Sequence, residues 1–406
     1  MYNKKPNNSV DILDLFNENK LVKICAPMVR YSKLQFRSLV REYGCDLCYT
    51  PMILADSICL SDKARNNEFT TNLKDSPLVV QFAANTVHDF VGASYMVSPY
   101  CNGVDLNCGC PQRWAKQMGI GCSLLDKPEL IADLISQCRN KITKPFTVSV
   151  KLRILKDIKK TIEICKRLEK AGASYISVHA RTPSQHTGDI NLEALKLIVE
   201  NVDCPVVGNG GIKNLEDCIN LQAETKCKGV MVANSLLANP TLFTGSQSTT
   251  EECVQKWLDI CYNSTLNTIS YSNCDPSVTP VIPECPPNLT FQCFHHHLVF
   301  MLEKLLPRSK RRIFNNLQSF KDVLLFLYEH FGISLQRYDL NKFENSKILD
   351  LDYNNREEVY LKLKRNSVMN SSLVENVSND YSYENSNGKF FKSKLVDDTD
   401  SIEYDL

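Results

Sequence analysis

Short apolar runs of strand length alternate with longer segments of helical period from residue 21 onwards. Several of these runs are apolar on both faces, as are parallel strands that are covered on both sides. Eight strands with helical crossovers in roughly 220 residues favour an α/β fold of the TIM (β/α)8 barrel type over an open sheet. The predicted strands are residues 23–27, 46–53, 78–83, 103–107, 147–152, 175–179, 205–208 and 229–233. The clearest amphipathic helices are residues 33–43, 128–141, 158–171, 192–201 and 215–224.

The repeat places a barrel domain at residues 21–245, preceded by a polar lead-in at residues 1–20. Residues 246–290 are predicted to be a linker in which residues 251–263 are helical. Residues 264–287 are rich in Ser, Thr, Asn and Pro and have no apolar period, which indicates a polar surface insertion. No Gly-x-Gly-x-x-Gly sequence opens any of the helical segments, and this counts against a Rossmann fold.

Helical periodicity returns at residues 291–335, which are predicted to form a small all-α domain. Residues 336–406 drift towards Asn, Ser and charged residues, and within them residues 371–406 hold eight acidic residues against three lysines. That composition is typical of a disordered acidic tail. The all-α domain has a basic edge formed by Lys304, Arg308, Lys310, Arg311 and Arg312.

The composition of the 406-residue chain supports a large core without indicating a partner, because it is 43% hydrophobic with a formal net charge of +1. Any nucleic-acid contact must therefore come from a local basic patch. No run of about 18 apolar residues predicts a membrane span, and the polar N-terminus does not resemble a secretory signal. Most of the 18 cysteines stand singly in apolar patterns, which indicates reduced core thiols in an intracellular protein. We expect the cytoplasm, with the nucleus and the mitochondrion left open.

The chain turns abruptly after the predicted strand at residues 103–107, because Gly109 and Pro111 flank Cys110. This turn leaves a thiol at the mouth of a strand, where it can meet a ligand. The competing interpretation is a buried cysteine at a strand end, which is common. Cys108 reads as a wall residue.

Cys45 and Cys48 form a Cys-x-x-Cys pair inside an apolar strand, without the second pair that a metal site needs. A metal site could be suspected at His295, His296 and His297, but adjacent residues of a helix point in different directions and cannot share one metal ion. We expect packing or RNA contact from them, and no metal site.

Basic residues end two neighbouring predicted strands, as Lys151 and Arg153 on one and His179 and Arg181 on the next. Alternate residues of a strand face the same side, so both pairs can point towards the mouth of the barrel. Two such cation pairs suggest a large polyanionic ligand, and the alternative is a salt bridge at the rim.

Small and amide-bearing residues end the remaining strands. Backbone amides in turns after strands seven and eight form the usual phosphate site of a barrel, and here those turns hold Asn209, Gly210, Gly211, Ala233, Asn234 and Ser235. Pro27, Met28 and Gln81 end the first and third strands and suit the ring of a flat cofactor.

These residues stand in the order seen in tRNA-dihydrouridine synthases, which the chain resembles from residue 21 to about residue 335. The motifs that carry the resemblance are Ala26-Pro27-Met28, Asp105-Leu106-Asn107-Cys108-Gly109-Cys110-Pro111, Lys151-Leu152-Arg153, Val178-His179-Ala180-Arg181 and Asn209-Gly210-Gly211. Residues 24–31, 45–53 and 108–114 look like the eukaryotic subfamily that acts on positions 20a and 20b of the D loop.

The resemblance implies an FMN enzyme that reduces the C5–C6 double bond of uridine in the D loop of tRNA, with NADPH as reductant. Hydride would go from reduced flavin to C6, and the thiol of Cys110 would protonate C5. Lys151 would stabilise negative charge on the reduced flavin. The target base must leave the tRNA fold, and the basic helical domain would hold the tRNA.

The resemblance also implies binding residues around the cofactor. Asn107 would lie under the uracil and the flavin, and Arg153 and Arg181 would face the flavin phosphate or the incoming nucleotide. Pro27, Met28 and Gln81 would frame the flavin ring. The ribityl-phosphate end would be held by His179, Asn209, Gly210, Gly211, Ala233 and Asn234. No metal, membrane contact or obligate protein partner is implied.

Two departures from the family pattern bear on the cofactor. The family has an acidic residue at the position of Gly211, and Arg-Gly where Asn234 and Ser235 stand. Asn cannot replace the charged, bidentate phosphate contact of Arg, so FMN affinity is reduced unless Arg181 takes over.

Two other functions remain open. A barrel reductase of a small molecule would keep the flavin but would not need the basic helical domain. A tRNA-binding protein that has lost its flavin would explain Asn234 and Ser235.

Overall fold

The computed structural model describes residues 10–18, 20–143, 145–263, 286, 289–335, 348–353 and 356–371. A closed barrel of parallel strands forms its centre. The strands are β1 (Val22–Cys25), β2 (Leu47–Tyr49), β3 (Ile53–Leu54), β4 (Leu78–Ala83), β5 (Gly103–Cys108), β6 (Thr147–Arg153), β7 (Ile176–His179), β8 (Val206–Asn209) and β9 (Gly229–Val232).

The barrel closes because β2 pairs with both β1 and β4, while β1 pairs with β9. Eight strands therefore form the ring, and the two-residue β3 adds to the edge of β4. All of these pairings are parallel, which confirms the predicted TIM barrel. The single strand predicted at residues 46–53 is interrupted at Pro51, which has no N–H to donate to a ladder.

The strand register places polar residues of neighbouring strands next to one another. Gln81 pairs with Asp105, Asn107 with Lys151, and Arg153 with His179. His179 in turn pairs with Asn209. Polar residues that are far apart along the chain therefore meet at the carboxyl ends of the strands, the face where barrel active sites are built.

Helices surround the barrel, and the five predicted amphipathic helices agree with the structure to within one residue at each end. The helix Val87–Val97 is not evident from periodicity, because seven of its eleven residues are buried and its apolar face has no clear limit. The first eight helices are α1 (Ile12–Asn17), α2 (Leu34–Glu42), α3 (Ala55–Leu60), α4 (Asp62–Glu68), α5 (Val87–Val97), α6 (Arg113–Gln117), α7 (Pro128–Lys141) and α8 (Ile158–Lys170). The others are α9 (Leu192–Asn201), α10 (Leu215–Thr225), α11 (Asn234–Ala238), α12 (Glu251–Asn263), α13 (Phe291–Leu302), α14 (Arg308–Asn315), α15 (Phe320–Phe331) and α16 (Arg356–Ser371), with 3-10 turns at Gly121–Asp126 and Leu242–Thr244.

The polar lead-in at residues 1–20 contains a helix, α1, that the sequence analysis did not predict. Asp11 caps the helix by accepting a hydrogen bond from the backbone N–H of Leu13. Ile12 and Phe16 are buried, and the ring of Phe16 lies 5.2 Å from that of Tyr175, which immediately precedes β7. The helix therefore covers the amino-terminal end of the barrel.

The three consecutive histidines join the helical region to the barrel. His297 is fully buried, stacks on Phe36 at 4.7 Å and approaches the Tyr31 carbonyl at 3.1 Å through Nε2. Burial lowers the pKa of His297 to about 3, so this ring is neutral. His295 Nε2 lies 2.9 Å from the Phe314 carbonyl. The packing interpretation is thus confirmed for His295 and His297, and the described residues contain no cluster of three or more ligands that could hold a metal.

Residues 336–406 were predicted to be a disordered tail, and this prediction is wrong for residues 356–371, which form α16. The side chain of Tyr360 is 1% exposed and donates through its hydroxyl to Asp89 Oδ1 at 3.0 Å. Glu357 pairs with the buried Arg65, and the ring of Tyr360 covers Gly92 on α5. The burial of Tyr360 and the ion pair with the buried Arg65 stabilise this helix in spite of its polar composition. Residues 372–406 lie outside the described residues, as does the insertion at 264–287 apart from residue 286. No helix within the described ranges is long and apolar enough to cross a membrane.

Replacing Tyr360 with alanine is expected to destabilise the docked α16 by about 3 kcal/mol, because a buried aromatic side chain leaves a cavity against Gly92. Hydrogen exchange should become faster in α16 while the barrel strands keep their protection. Tyr360→Phe, which removes only the hydroxyl, is the matched control and should cost far less. Unchanged exchange in α16 of the alanine variant would show that Tyr360 does not anchor the helix.

Candidate active site at the carboxyl ends of the strands

A cavity of about 240 Å³ opens where the carboxyl ends of β6 to β9 meet. Its walls include ten of the fourteen residues that the sequence singled out. These are Pro27, Lys151, Arg153, His179, Arg181, Asn209, Gly210, Gly211, Ala233 and Asn234. The convergence of these strand ends on one cavity makes it the candidate ligand site.

The turn after β8 has a backbone conformation that favours glycine. Gly210 and Gly211 have φ values of +113° and +74°, which side chains rarely adopt. A Cβ at Gly210 would lie 2.9 Å from both His179 Cδ2 and Ile190 Cγ2, so there is no space for a side chain. The glycines leave the backbone bare at the cavity wall, where a phosphate group can approach closely.

His179 is neutral and cannot form half of the expected cation pair. Burial, reinforced by Lys151, Arg153 and Arg181, lowers the pKa of His179 to about 2. The guanidinium of Arg181 lies 3.4 Å from His179 Nε2. The second predicted cation pair is therefore one arginine beside an imidazole that can accept a hydrogen bond, and the charge comes from Lys151, Arg153 and Arg181.

Lys151 titrates near neutrality. Burial lowers its pKa to about 8, and Arg153 adds to this effect while Asp105 opposes it. A buried ammonium loses hydration and gains from any anion that enters. Lys151 can therefore stabilise negative charge on a bound ligand.

Arg153 and Arg181 hold the loop that follows β7. The Arg153 guanidinium donates to the carbonyls of Thr182 and Gln185 at 3.1 and 2.9 Å. Arg181 Nε donates to the Gly188 carbonyl at 3.1 Å. Both guanidinium groups still line the cavity, so they can place charge there while fixing its rim. Their predicted role towards substrate stays a prediction.

A chain of buried side chains lies on the other side of the site. Asp105 Oδ2 accepts from Gln81 Nε2 at 2.8 Å, and Gln81 Oε1 accepts from Asn107 Nδ2 at 2.9 Å. Asn107 Oδ1 then accepts from the backbone N–H groups of Gly109 and Cys110 at 3.2 and 2.9 Å. Each amide uses one hydrogen of its NH2 group, so the second can be donated to a ligand.

Sequence reasoning did not assign a role to Asp105, or to Ser149, whose hydroxyl donates to Asp105 Oδ1 at 2.6 Å. The sequence did offer one indication, because Asp105 is a carboxylate in the middle of a strand in which every residue is buried. Such a group is costly unless it has partners, so its position alone indicates a polar network inside the barrel.

Cys110 is partly exposed and packs against a small apolar cluster of Ala83, Ala115 and Ile120. Burial raises the pKa of the Cys110 thiol above its ordinary value. The group therefore remains a protonated thiol at neutral pH. That is the state required of an acid and the opposite of the state required of a nucleophile.

Four other residues that the sequence analysis considered have a buried, structural setting. Met28 is fully buried and its backbone N–H donates to Ser32 Oγ at 2.9 Å, behind the cavity wall formed by Pro27. Cys108 is fully buried, as expected of a wall residue. Cys45 and Cys48 are buried with their sulfurs 3.7 Å apart.

The family model described as Dihydrouridine synthase (Dus) matches residues 24–305. The chain belongs to the dihydrouridine synthase family. This confirms the resemblance that the strand-end motifs indicated, and it makes the chain an oxidoreductase. The match covers the barrel and ends just after α13, so the cavity lies inside the matched region. Helix α14, which carries four of the five residues of the basic edge, lies beyond it.

Several relatives of this dihydrouridine synthase are described as members of the 20a/20b subfamily. A Mus musculus protein described as tRNA-dihydrouridine(20a/20b) synthase (NAD(P)+)-like is 46% identical, over 79% of this chain and 93% of its own length. A Homo sapiens protein with the same description is 44% identical, over 80% and 95%. A Schizosaccharomyces pombe tRNA-dihydrouridine(20a/20b) synthase (NAD(P)+) is 38% identical, over 80% and 92%. These matches confirm the similarity to the subfamily that acts on positions 20a and 20b.

Proposed function

We propose that this chain is an FMN-dependent tRNA-dihydrouridine synthase that uses NADPH to reduce D-loop uridines, with positions 20a and 20b as its targets. The observation that carries the proposal is the placement of a protonated thiol, Cys110, beside a cationic cavity in a member of this family. A reductase of this kind needs an anion site for its cofactor and an acid for the substrate.

The cavity has the donor set that FMN needs. Arg153 and Arg181 can supply charge for the phosphate, Lys151 can supply charge for the reduced ring, and the bare backbone of Gly210 and Gly211 allows the phosphate close approach. The amides of Gln81 and Asn107 can donate to the carbonyl oxygens of a flat ring. When bound, the flavin supplies the hydride that C6 of uracil accepts. Neutral Asn234 adds no charge, so Arg181 is the cation that supports the phosphate end in this chain.

Cys110 would provide the proton that completes the reduction. Hydride addition at C6 leaves the electron pair of the double bond on C5 and the adjoining carbonyl, and a proton at C5 then gives dihydrouracil. The raised pKa of the thiol keeps that proton available at neutral pH. The thiolate formed is reprotonated from solvent, since Cys110 is partly exposed.

The tRNA would be held outside the barrel by the basic edge of the helical region. Lys304, Arg308, Lys310 and Arg312 are exposed, and Arg311 lies 3.8 Å from Glu303. Cations at this spacing can contact successive phosphates of a folded RNA. A small-molecule reductase has no use for such an edge, which favours the tRNA substrate.

Purified protein is expected to be yellow and to release FMN, identified by chromatography, when it is denatured. Gly210→Ala should weaken FMN binding by about tenfold or more, since the added Cβ would displace His179 or Ile190 at the cavity wall and is strained at a positive φ. Gly332→Ala is the matched control, because Gly332 also has a positive φ but ends α15 with open space around its Cα. A wild-type protein that stays colourless after incubation with FMN would contradict the proposal and favour the non-catalytic tRNA-binding alternative.

A further inference from the structure

We propose that Asp105 is a positioning residue for Cys110, acting through the carboxamides of Gln81 and Asn107. The inference rests on the proposed role of Cys110 as the acid. Asp105 does not touch Cys110, and it is linked to the loop that carries Cys110 by three successive hydrogen-bonded steps. All three side chains of the chain are buried.

The first step fixes the orientation of Gln81. A carboxylate can only accept hydrogen bonds, so the side of Gln81 that faces Asp105 must be its NH2 group. The Gln81 carbonyl oxygen is thereby turned towards Asn107. Without the carboxylate, the Gln81 side chain could rotate by half a turn and present the opposite polarity to its neighbour.

The second and third hydrogen bonds extend this fixed orientation from Gln81 to the turn that holds Cys110. Because Gln81 offers an oxygen, Asn107 must offer its NH2 group in return, and this turns Asn107 Oδ1 towards the loop. There it accepts from two backbone N–H groups, those of Gly109 and Cys110. One buried charge therefore determines the polarity of two amides and the conformation of the turn that holds Cys110.

The surroundings of Asp105 are consistent with a hydrogen-bond acceptor at neutral pH. Ser149 donates to its other oxygen, and the ammonium of Lys151 stabilises the ionised form. The hydroxyls of Tyr49 and Tyr175, which bond to each other, and the thiol of Cys108 are further titratable groups close to it. Burial raises the pKa of Asp105 to about 6, so the carboxylate predominates at neutral pH.

The test is the rate at which a maleimide alkylates each cysteine in the native, flavin-loaded protein, read by mass spectrometry. Asp105→Ala should raise the rate at Cys110 by about tenfold, the factor expected when roughly one hydrogen bond that restrains the loop is lost. Cys204 is also partly exposed and precedes β8 at the opposite end of the barrel, so its rate should not change. The pH dependence of alkylation separates access to the thiol from its thiolate fraction.

Three further variants make the experiment specific. Gln81→Leu breaks the chain one link later and should give the same increase, including if Asp105→Ala does not fold. Asp105→Asn can present either its oxygen or its NH2 group to Gln81, so it should restore only part of the protection of Cys110. Ser149→Ala removes a partner of Asp105 that is not on the route to Cys110 and should have little effect.

An unchanged rate at Cys110 in both Asp105→Ala and Gln81→Leu would overturn the proposal. Equal increases at fully buried thiols such as Cys138 and Cys165 would also overturn it, since Asp105 would then only stabilise the fold. The readout needs neither tRNA nor turnover. A failure of the proposed enzymatic function therefore remains distinguishable from a failure of this inference.

Discussion

Replacing Cys110 with alanine is expected to lower the rate of dihydrouridine formation by about two to four orders of magnitude, the usual contribution of a positioned acid. Flavin binding should persist, because Cys110 does not line the cavity that contains the proposed phosphate site. The measurement is a single-turnover reaction of the reduced, flavin-loaded protein with unmodified tRNA. Reduction of the flavin by NADPH should keep its rate, since that step does not involve uracil.

Cys108→Ala is the matched control for this prediction. The two thiols are two residues apart, but Cys108 is fully buried in β5, whereas Cys110 is partly exposed. Its loss should affect stability and leave the rate of uridine reduction close to that of the wild type. Wild-type activity in Cys110→Ala would remove Cys110 from the mechanism and require another proton donor.

Replacing Lys151 with methionine is expected to lower the rate of uridine reduction by about 10² to 10³, in the range found when one stabilising donor is removed from an active site. The ammonium is buried at the cavity and gains from negative charge on a bound ligand. The reduction potential of the bound flavin should fall as well, because its anionic reduced form loses a cation. Spectroscopic titration measures that potential without requiring turnover.

The pH dependence of the wild type should reflect the same group. Since the pKa of Lys151 is lowered to about 8, its cation is present below that pH and is lost as the pH rises through it. Activity should therefore fall on the alkaline side of about pH 8. Lys151→Arg keeps a charge that does not titrate in this range and should remove the decline. A wild-type profile that stays flat up to pH 10 would contradict this role for Lys151.

The barrel could be predicted because parallel strands that are covered on both sides have a distinct apolar pattern. Once the strands are assigned, the fold itself places their polar ends together. Lys151, His179 and Asn209 could therefore be assigned to one site before any contact between them was known. The elements that were missed lack this pattern. Helix α5 is apolar around most of its surface, and α1 has only Ile12 and Phe16 to signal its burial.

The charges and hydrogen bonds of the site could not be predicted in the same way. His179 looks like a cation in the sequence, but its pKa depends on burial and on Lys151, Arg153 and Arg181 around it. The chain from Asp105 to Cys110 depends on strand register, which pairs Gln81 with Asp105 across β4 and β5. Helix α16 was hidden by its polar composition, because its anchoring depends largely on one aromatic residue, Tyr360.

The most direct test of the central claim is the reaction with an unmodified tRNA transcript, purified protein and NADPH, followed by mass spectrometry of nuclease fragments. The proposal predicts that fragments containing D-loop positions 20a and 20b gain the mass of two hydrogen atoms per modified uridine. Transcripts with cytidine at those positions should gain nothing there. A flavin-loaded protein that oxidises NADPH but leaves every uridine of the transcript unreduced would contradict the account.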